Sequence, residues 1–301
     1  MVLAPQPPAP TAAQAATRRL LRMATAAAVA VAALLIVIKL GAWLLTGSVA
    51  LLSSLIDSAL DATASLLNLI AVRHAARPAD REHRFGHGKA EPLAGMGQTL
   101  FIGASGTLLL FEAVPRLFDP QPVSETGVGV AVMLVSMALT LGLVRFQRMV
   151  AARTGSVAVD ADSLHYTGDL LMNASIILSL LLTHYLGWYV LDPIFAIGIA
   201  IYVLYTATKI ARRSIDLLMD RELPDEERAQ IKAICRRHPD VRGVHDVRTR
   251  RSGLTRFIQL HLELDGAMPL RQAHAVAVAV AADIRRAFPD AEVIIHQDPV
   301  G

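Results

Sequence analysis

Six stretches of this chain are predominantly apolar for about twenty residues each: 23–45, 49–73, 93–114, 128–146, 164–186 and 190–209. At about 1.5 Å per residue, each comes close to or exceeds the roughly 30 Å hydrocarbon core of a bilayer. Arg18, Arg19 and Arg22 precede the first. A secretory signal would show a shorter run followed by a small-residue cleavage site, so this is read as a retained helix. Beyond Arg213 the pattern changes. A helix over 225–238 opens at Pro224, and an alternating strand covers 243–251. Ser252-Gly253 then turns the chain into a second strand over 255–264. In that strand Ile258, Leu260, Leu262 and Leu264 share one face, and Phe257, Gln259, His261 and Glu263 share the other. An Ala/Val-rich helix over 270–288 and a last strand over 292–296 complete an αββαβ order. The fold class is therefore a polytopic α-helical membrane protein with six transmembrane helices. It ends in a C-terminal cytoplasmic α+β domain, ferredoxin/metallochaperone-like, with its helices on one face of the sheet. The division is 1–17, a disordered tail of Ala, Pro and Gln; 18–213, the membrane domain; and 214–301, the cytoplasmic domain.

Composition agrees with the pattern. Of 301 residues, 53% are hydrophobic and only 18% charged, which places the chain outside the soluble enzymes. The net charge of +3 is spread over short loops rather than gathered in a patch, so no nucleic-acid partner is implied. Basic residues sit in alternate connections. They are Arg73, Arg77, Arg81, Arg84 and Lys89, then Arg145, Arg148 and Arg153, then Lys209, Arg212 and Arg213. The turns at 46–48 and 184–192 carry none, so the positive-inside rule puts both termini in the cytoplasm. Lys39, inside the first span, is read as snorkelling to the nearer surface. The single cysteine, Cys235, allows no disulfide within one chain, so any metal site must be built from His and carboxylate. Such ligands favour zinc, iron, manganese, cobalt or cadmium over copper(I).

Two carboxylates, Asp57 and Asp61, stand near the middle of the second span. Four residues apart, they point the same way. Each costs about 2.5–3.5 kcal/mol to bury at a helix centre, and the helix carries no cation to pair with them. The fifth span opens with a matching pair, His165 and Asp169. Facing each other, the two pairs give three carboxylates and one imidazole, a donor set that suits a tetrahedral divalent cation. Three carboxylates cannot stay ionised together in a low-dielectric site, so a cation or protons must neutralise them, and metal binding is coupled to proton release. Asp80, His83 and His87, in a loop turned by Gly86 and Gly88, form a second candidate cluster. In the soluble domain His245, His261, His296 and Asp298 fall at strand positions a sheet could gather, with His274 on the neighbouring helix. Taken singly, each of these soluble-domain histidines is more readily a solvated surface residue than a ligand.

The runs Gly47-Ser48-Val49, Asp57-Ser58-Ala59-Leu60-Asp61, Phe85-Gly86-His87-Gly88-Lys89-Ala90-Glu91, Leu164-His165-Tyr166 through Asp169, and Ile295-His296-Gln297-Asp298-Pro299 resemble the cation diffusion facilitators. Within them the chain is most similar to the bacterial zinc and ferrous-iron efflux transporters, from about Arg18 to Pro299. The resemblance implies a homodimeric, proton-coupled exporter of divalent metal in the bacterial inner membrane, working by alternating access. Zinc is the first expectation for cargo and for a structural or regulatory ion, with ferrous iron or cadmium as alternatives. It also implies a transport site at Asp57, Asp61, His165 and Asp169, and a loop site at Asp80, His83 and His87. A cytoplasmic two-metal site falls on His245, His261, His296 and Asp298 with His274 nearby, and a charge lock on Lys89 and Asp220. Two rival classes are an intramembrane metalloenzyme and a membrane-tethered metal sensor. The first lacks a His-Glu-x-x-His motif, and a site with four protein ligands leaves no open position for a catalytic water. The second has no need of intramembrane ligands. No Gly-x-x-x-x-Gly-Lys loop supports a nucleotide-driven pump.

Overall fold

A computed structural model describes residues 12–118, 127–186 and 190–301. The expected tail therefore lies outside the described residues through position 11, and from Ala12 the chain is helical. The turn expected at 184–192 lies partly outside them as well. Six long helices come first: α1 (Ala12–Thr46), α2 (Val49–Ala75), α3 (Ala90–Arg116), α4 (Gly127–Thr154), α5 (Val157–Leu186) and α6 (Leu191–Leu218). Then follow α7 (Asp225–Cys235), β1 (Gly243–Ser252), β2 (Thr255–Asp265), α8 (Leu270–Ala287) and β3 (Ala291–Val300). Among the described residues, α1, α2 over Leu51–Ala75, α3, α4 and α6 are long and apolar enough to cross a membrane. The sixth, α5, has 30 residues, but Asp160, Asp162, His165 and Asp169 dilute its first half.

The structure divides into two compact units. One comprises 17–74 and 90–215, the long helices. Its exterior is apolar, with Val37, Leu44, Leu67, Leu100, Leu108, Phe111 and Tyr205 exposed. Its interior holds Ser65, Asn68, Gln98, Gln147, Asp162 and Thr167, all buried. That inversion is what a bilayer selects, because lipid solvates the apolar surface while polar groups find partners only inside. The start of α5 is set locally. Gly155, at φ +69°, ends α4 by donating its N–H to the Ala151 carbonyl at 2.8 Å. The Ser156 hydroxyl then accepts the N–H of Val159 at 3.2 Å, an N-cap. The helix thus begins at Val157 rather than 164, and α5 packs on α3 and α4. Lys39 does not snorkel: its Nζ donates to the Ser58 hydroxyl at 2.7 Å and the Ser54 carbonyl at 3.1 Å, both on α2. A buried hydroxyl and a carbonyl one helix away satisfy the ammonium better than a long reach to the surface.

The other unit comprises 12–16, 75–89 and 216–301, so the loop between α2 and α3 packs with the C-terminal domain. The sheet order is β1-β2-β3, with β1 antiparallel and β3 parallel to β2. Ile258, Leu260, Leu262 and Leu264 are all buried, against Ile231 and Ile234 of α7 and Val276, Val280 and Ile284 of α8. Cys235 lies in this core, where burial pushes its thiol up to about 11 and keeps it unreactive. Phe257, on the other face, is covered by the loop. The Arg250 guanidinium stacks 4.5 Å from its ring and 4.8 Å from that of Phe85. Gly88 passes so close to the β1–β2 turn that a Cβ there would lie 2.5 Å from the Ser252 carbonyl carbon.

Candidate metal centres

In the helical unit, α2 supplies Asp61 and α5 supplies His165 and Asp169. His165 Nε2 lies 2.8 Å from Asp61 Oδ1 and 3.9 Å from Asp169 Oδ2. One ligand atom from each of the three falls within 4.8 Å of the others. The Phe101 ring meets the imidazole edge-on at 5.9 Å. Asp57 is not brought into this group. It is exposed on α2, one turn, or about 6 Å along the axis, before Asp61. The four expected ligands therefore appear as three together and one a turn away.

In the loop, Asp80 Oδ1 accepts the backbone N–H groups of His83 at 2.6 Å and Glu82 at 3.0 Å, the local turn that Asp favours. The His83 N–H outweighs the other influences and holds the Asp80 carboxyl below its usual range. Asp80 Oδ2 faces His87 Nε2 at 3.3 Å, His83 Nδ1 lies 3.4 Å from Oδ1, and the two imidazoles are 4.6 Å apart. All three expected ligands are together. His87 is the buried member.

On the sheet, register does the gathering. His245 pairs with His261 and His261 with His296, one residue from each strand in a single row on the polar face. Adjacent strands are about 4.8 Å apart, so three imidazoles stand side by side. Asp298 joins them: Oδ2 lies 2.9 Å from His261 Nδ1 and 3.1 Å from His245 Nε2, and Oδ1 lies 3.2 Å from His296 Nε2. The His261 hydrogen bond chiefly holds its carboxyl below the usual range. A carboxylate with an imidazole on each oxygen is positioned to bridge two ions, and three His with one Asp fit zinc. His274 is not part of this cluster. It is exposed on α8, and α8 covers the opposite, apolar face of the sheet. Two acidic neighbours escaped sequence reasoning. Glu263 Oε1 reaches His245 Nδ1 at 3.0 Å, and Asp246 Oδ2 stands 3.7 Å from His261 Nε2. Asp246 sits at φ +44° beside a bulge in β1, an irregularity that alternation cannot announce.

Lys89 Nζ meets Asp220 Oδ1 at 3.0 Å and the Leu218 carbonyl at 2.9 Å. Arg250 Nη1 reaches the same Asp220 oxygen at 3.2 Å. Partial burial would raise the Asp220 carboxyl, but the hydrogen bonds from Lys89 and Arg250 outweigh it and hold it low.

Residues 25–219 match the cation efflux transmembrane domain, and residues 223–300 match the cytoplasmic domain of cation efflux proteins. The chain belongs to the cation efflux family. It is 50% identical over 281 residues, 93% of each chain, to the cation-efflux pumps FieF of Klebsiella pneumoniae, Escherichia fergusonii and Escherichia coli K12. Solved structures of related transporters match part of the chain. That of the CzrB transporter is 33% identical, covering 26% of this chain and 99% of that one, with a TM-score of 0.26. The metal-bound C-terminal domain of the CzcD transporter from Thermotoga maritima is 35% identical, covering 25% and 90%, with a TM-score of 0.25. This cation efflux protein is thus a membrane transporter of metal cations and not an enzyme, and the resemblance read from its motifs holds.

Proposed function

We propose that this transporter is a proton-coupled antiporter that carries divalent cations out of the cytoplasm, zinc first, with ferrous iron or cadmium as alternatives. Residues 18–213 form its membrane domain and 214–301 its cytoplasmic domain. It works as a homodimer in the bacterial inner membrane with both termini in the cytoplasm. Asp57, Asp61, His165 and Asp169 bind the cargo during alternating access. Asp80, His83 and His87 bind a loop ion, and His245, His261, His296 and Asp298 hold zinc in the cytoplasmic domain. The observation that carries this reading is the meeting of Asp61, His165 and Asp169 between two membrane-length helices. Protons and cation compete for the same imidazole and carboxylates, so loading a cation releases protons and the reverse exchange resets the site. The proton gradient then drives export without nucleotide.

The test is metal flux into proteoliposomes under an imposed pH gradient, with zinc, cadmium, ferrous iron and manganese compared. Uphill zinc movement against an opposing proton flow is the expected result, slowing as the side from which metal loads is acidified. Flux indifferent to the gradient overturns the coupling.

A further inference from the structure

One turn before His165 on α5 lies a carboxylate that none of the three clusters uses. Asp162 is 1% exposed. Its Oδ1 accepts from the Gln98 side-chain amide of α3 at 2.8 Å and from the Ser65 hydroxyl of α2 at 3.4 Å. Its Oδ2 accepts from the Gln147 amide of α4 at 2.5 Å. The three partners are neutral, and they come from three different helices. Ser65 also meets the Tyr166 hydroxyl at 2.9 Å, so a chain of hydroxyls leads from Tyr166 back to the carboxylate. A second strut, from the Asn68 amide to the Ala158 carbonyl at 3.2 Å, joins α2 and α5 a turn further along.

The donor pattern suits an ionised carboxylate, which only accepts. Gln147 turns its amide N–H toward Asp162 and leaves its own Oε1 buried without a hydrogen-bond partner, so the carboxylate dictates the orientation of that amide. The hub sits where the ligand geometry is decided. Ser65 is four residues past Asp61 on α2, and Asp162 is three residues before His165 on α5. Any roll or slide of α5 against α2 changes the 2.8 Å separation of His165 and Asp61 and also breaks the convergence on Asp162.

We propose that Asp162 is a positioning residue for the intramembrane site: by tying α2, α3 and α4 to α5 it sets the separation of Asp61 and His165, and through it the preference among divalent cations. The proposal rests on the reading of Asp61, His165 and Asp169 as the cargo site. Tetrahedral coordination suits zinc, whereas manganese takes six oxygen-rich ligands, so a loosened frame penalises zinc more.

The readout is the ratio of kcat/KM for Zn²⁺ to that for Mn²⁺, measured as flux into proteoliposomes of the full chain. Asp162→Asn removes the charge and obliges one glutamine amide to turn its oxygen toward the new donor, so the tie is re-formed without the ionic hub, and the ratio is expected to fall about tenfold, the lower end for loss of a supporting contact at a metal site. Combining Asp162→Asn with Gln147→Glu moves the charge to α4 while keeping a donor–acceptor pair, and should restore most of the ratio. Ser65→Ala, which removes one donor and no charge, should lower it by a smaller factor. If Asp162→Asn does not fold, Ser65→Ala decides: a lowered ratio supports the proposal and an unchanged one overturns it. An unchanged ratio in a folded Asp162→Asn protein overturns it equally. Asp61→Ala separates the two readings. If that variant transports zinc normally, the cargo site itself is wrong; if it is inert while the Asp162 and Ser65 variants keep the native ratio, only the positioning role falls.

Discussion

The helical cluster and the sheet cluster use the same two residue types in different surroundings. His165 and Asp61 have side chains 11% and 21% exposed, with Asp169 at 40%, whereas on the sheet Asp298 and His261 are 27% and 33% exposed and His245 and His296 reach 49% and 66%. Backbone hydrogen bonds between strands fix the spacing of the sheet row, so its geometry is set before any ion arrives. The helical cluster has no such ladder. Its two halves come from α2 and α5, and their separation depends on side-chain packing that a sliding helix can change. A rigid, wet site suits a resident ion. A shielded site that can open and close suits cargo, because the ligands must first gather and then let go.

The largest effects should separate these two clusters. Replacing Asp61 or Asp169 with Ala is expected to reduce transport to background while insertion and dimerisation persist, as read by flux and by size-exclusion chromatography in detergent. Asp57→Ala is the sharper test, since Asp57 stands a turn away from the trio. An equal loss of flux places it in the transport path, and near-normal flux reduces the site to three ligands. Next in size, His165→Asp should keep transport but shift it toward harder, oxygen-preferring cations. Zinc, cadmium and manganese flux in parallel measure that shift. An unchanged order removes His165 as a ligand.

How much of this was readable depends on which interaction does the placing. The i, i+4 pairs on α2 and α5 and the alternation of β2 are periodicities written in the chain, so the ligand faces and the apolar sheet face were legible. The start of α5 was not, because Asp160 and Asp162 break the apolar run before Leu164 while Gly155-Ser156 caps the helix at Val157, so Asp162 looks like a loop residue in the sequence. Its partners are neutral side chains, Ser65 and Gln98 within apolar runs and Gln147 just past the end of one, and only helix packing shows that they converge. Lys39 was misread for the same reason. On the sheet, the residue types pointed to metal, but the row of three imidazoles is a consequence of strand register. The last strand was expected to stop at 296, short of Asp298 and Pro299. β3 is an edge strand, where a proline is tolerated, and it runs on to Val300.

A middle-sized effect tests the assigned roles. Asp298→Ala removes the carboxylate that touches all three imidazoles, so the cytoplasmic domain should lose metal affinity and the transport rate should fall. If that cluster is resident rather than in the transport path, the number of protons moved per metal stays at the wild-type value. Simultaneous pH-dye and metal-dye traces in proteoliposomes give the ratio. A changed ratio with dimerisation intact would collapse the distinction between the two clusters.

The smallest effect concerns the junction in the C-terminal unit, where Asp220 serves both Lys89 and Arg250. These are half-exposed pairs, each worth about 0–1 kcal/mol, so Asp220→Asn should leave global stability nearly unchanged. Its pH dependence is still informative. The Asp220 carboxyl is held below its usual range when folded, so its contribution is fully present above the ordinary carboxylate value of about 3.9 and is lost as pH falls through the lower folded value. Hydrogen-exchange protection factors of the amides at 85–89 and 218–222, corrected for the slower intrinsic exchange in acid, should therefore remain high at pH 5 (about one unit above that ordinary value) and fall only in stronger acid. In Asp220→Asn the acid-dependent component disappears, leaving the Lys89 bond to the Leu218 carbonyl and the Phe85–Arg250–Phe257 stack to hold the loop. An identical acid profile in the variant would show that the stack and not the ion pairs anchors this loop, and protection already lost at pH 5 in the wild type would show that a group other than Asp220 controls it.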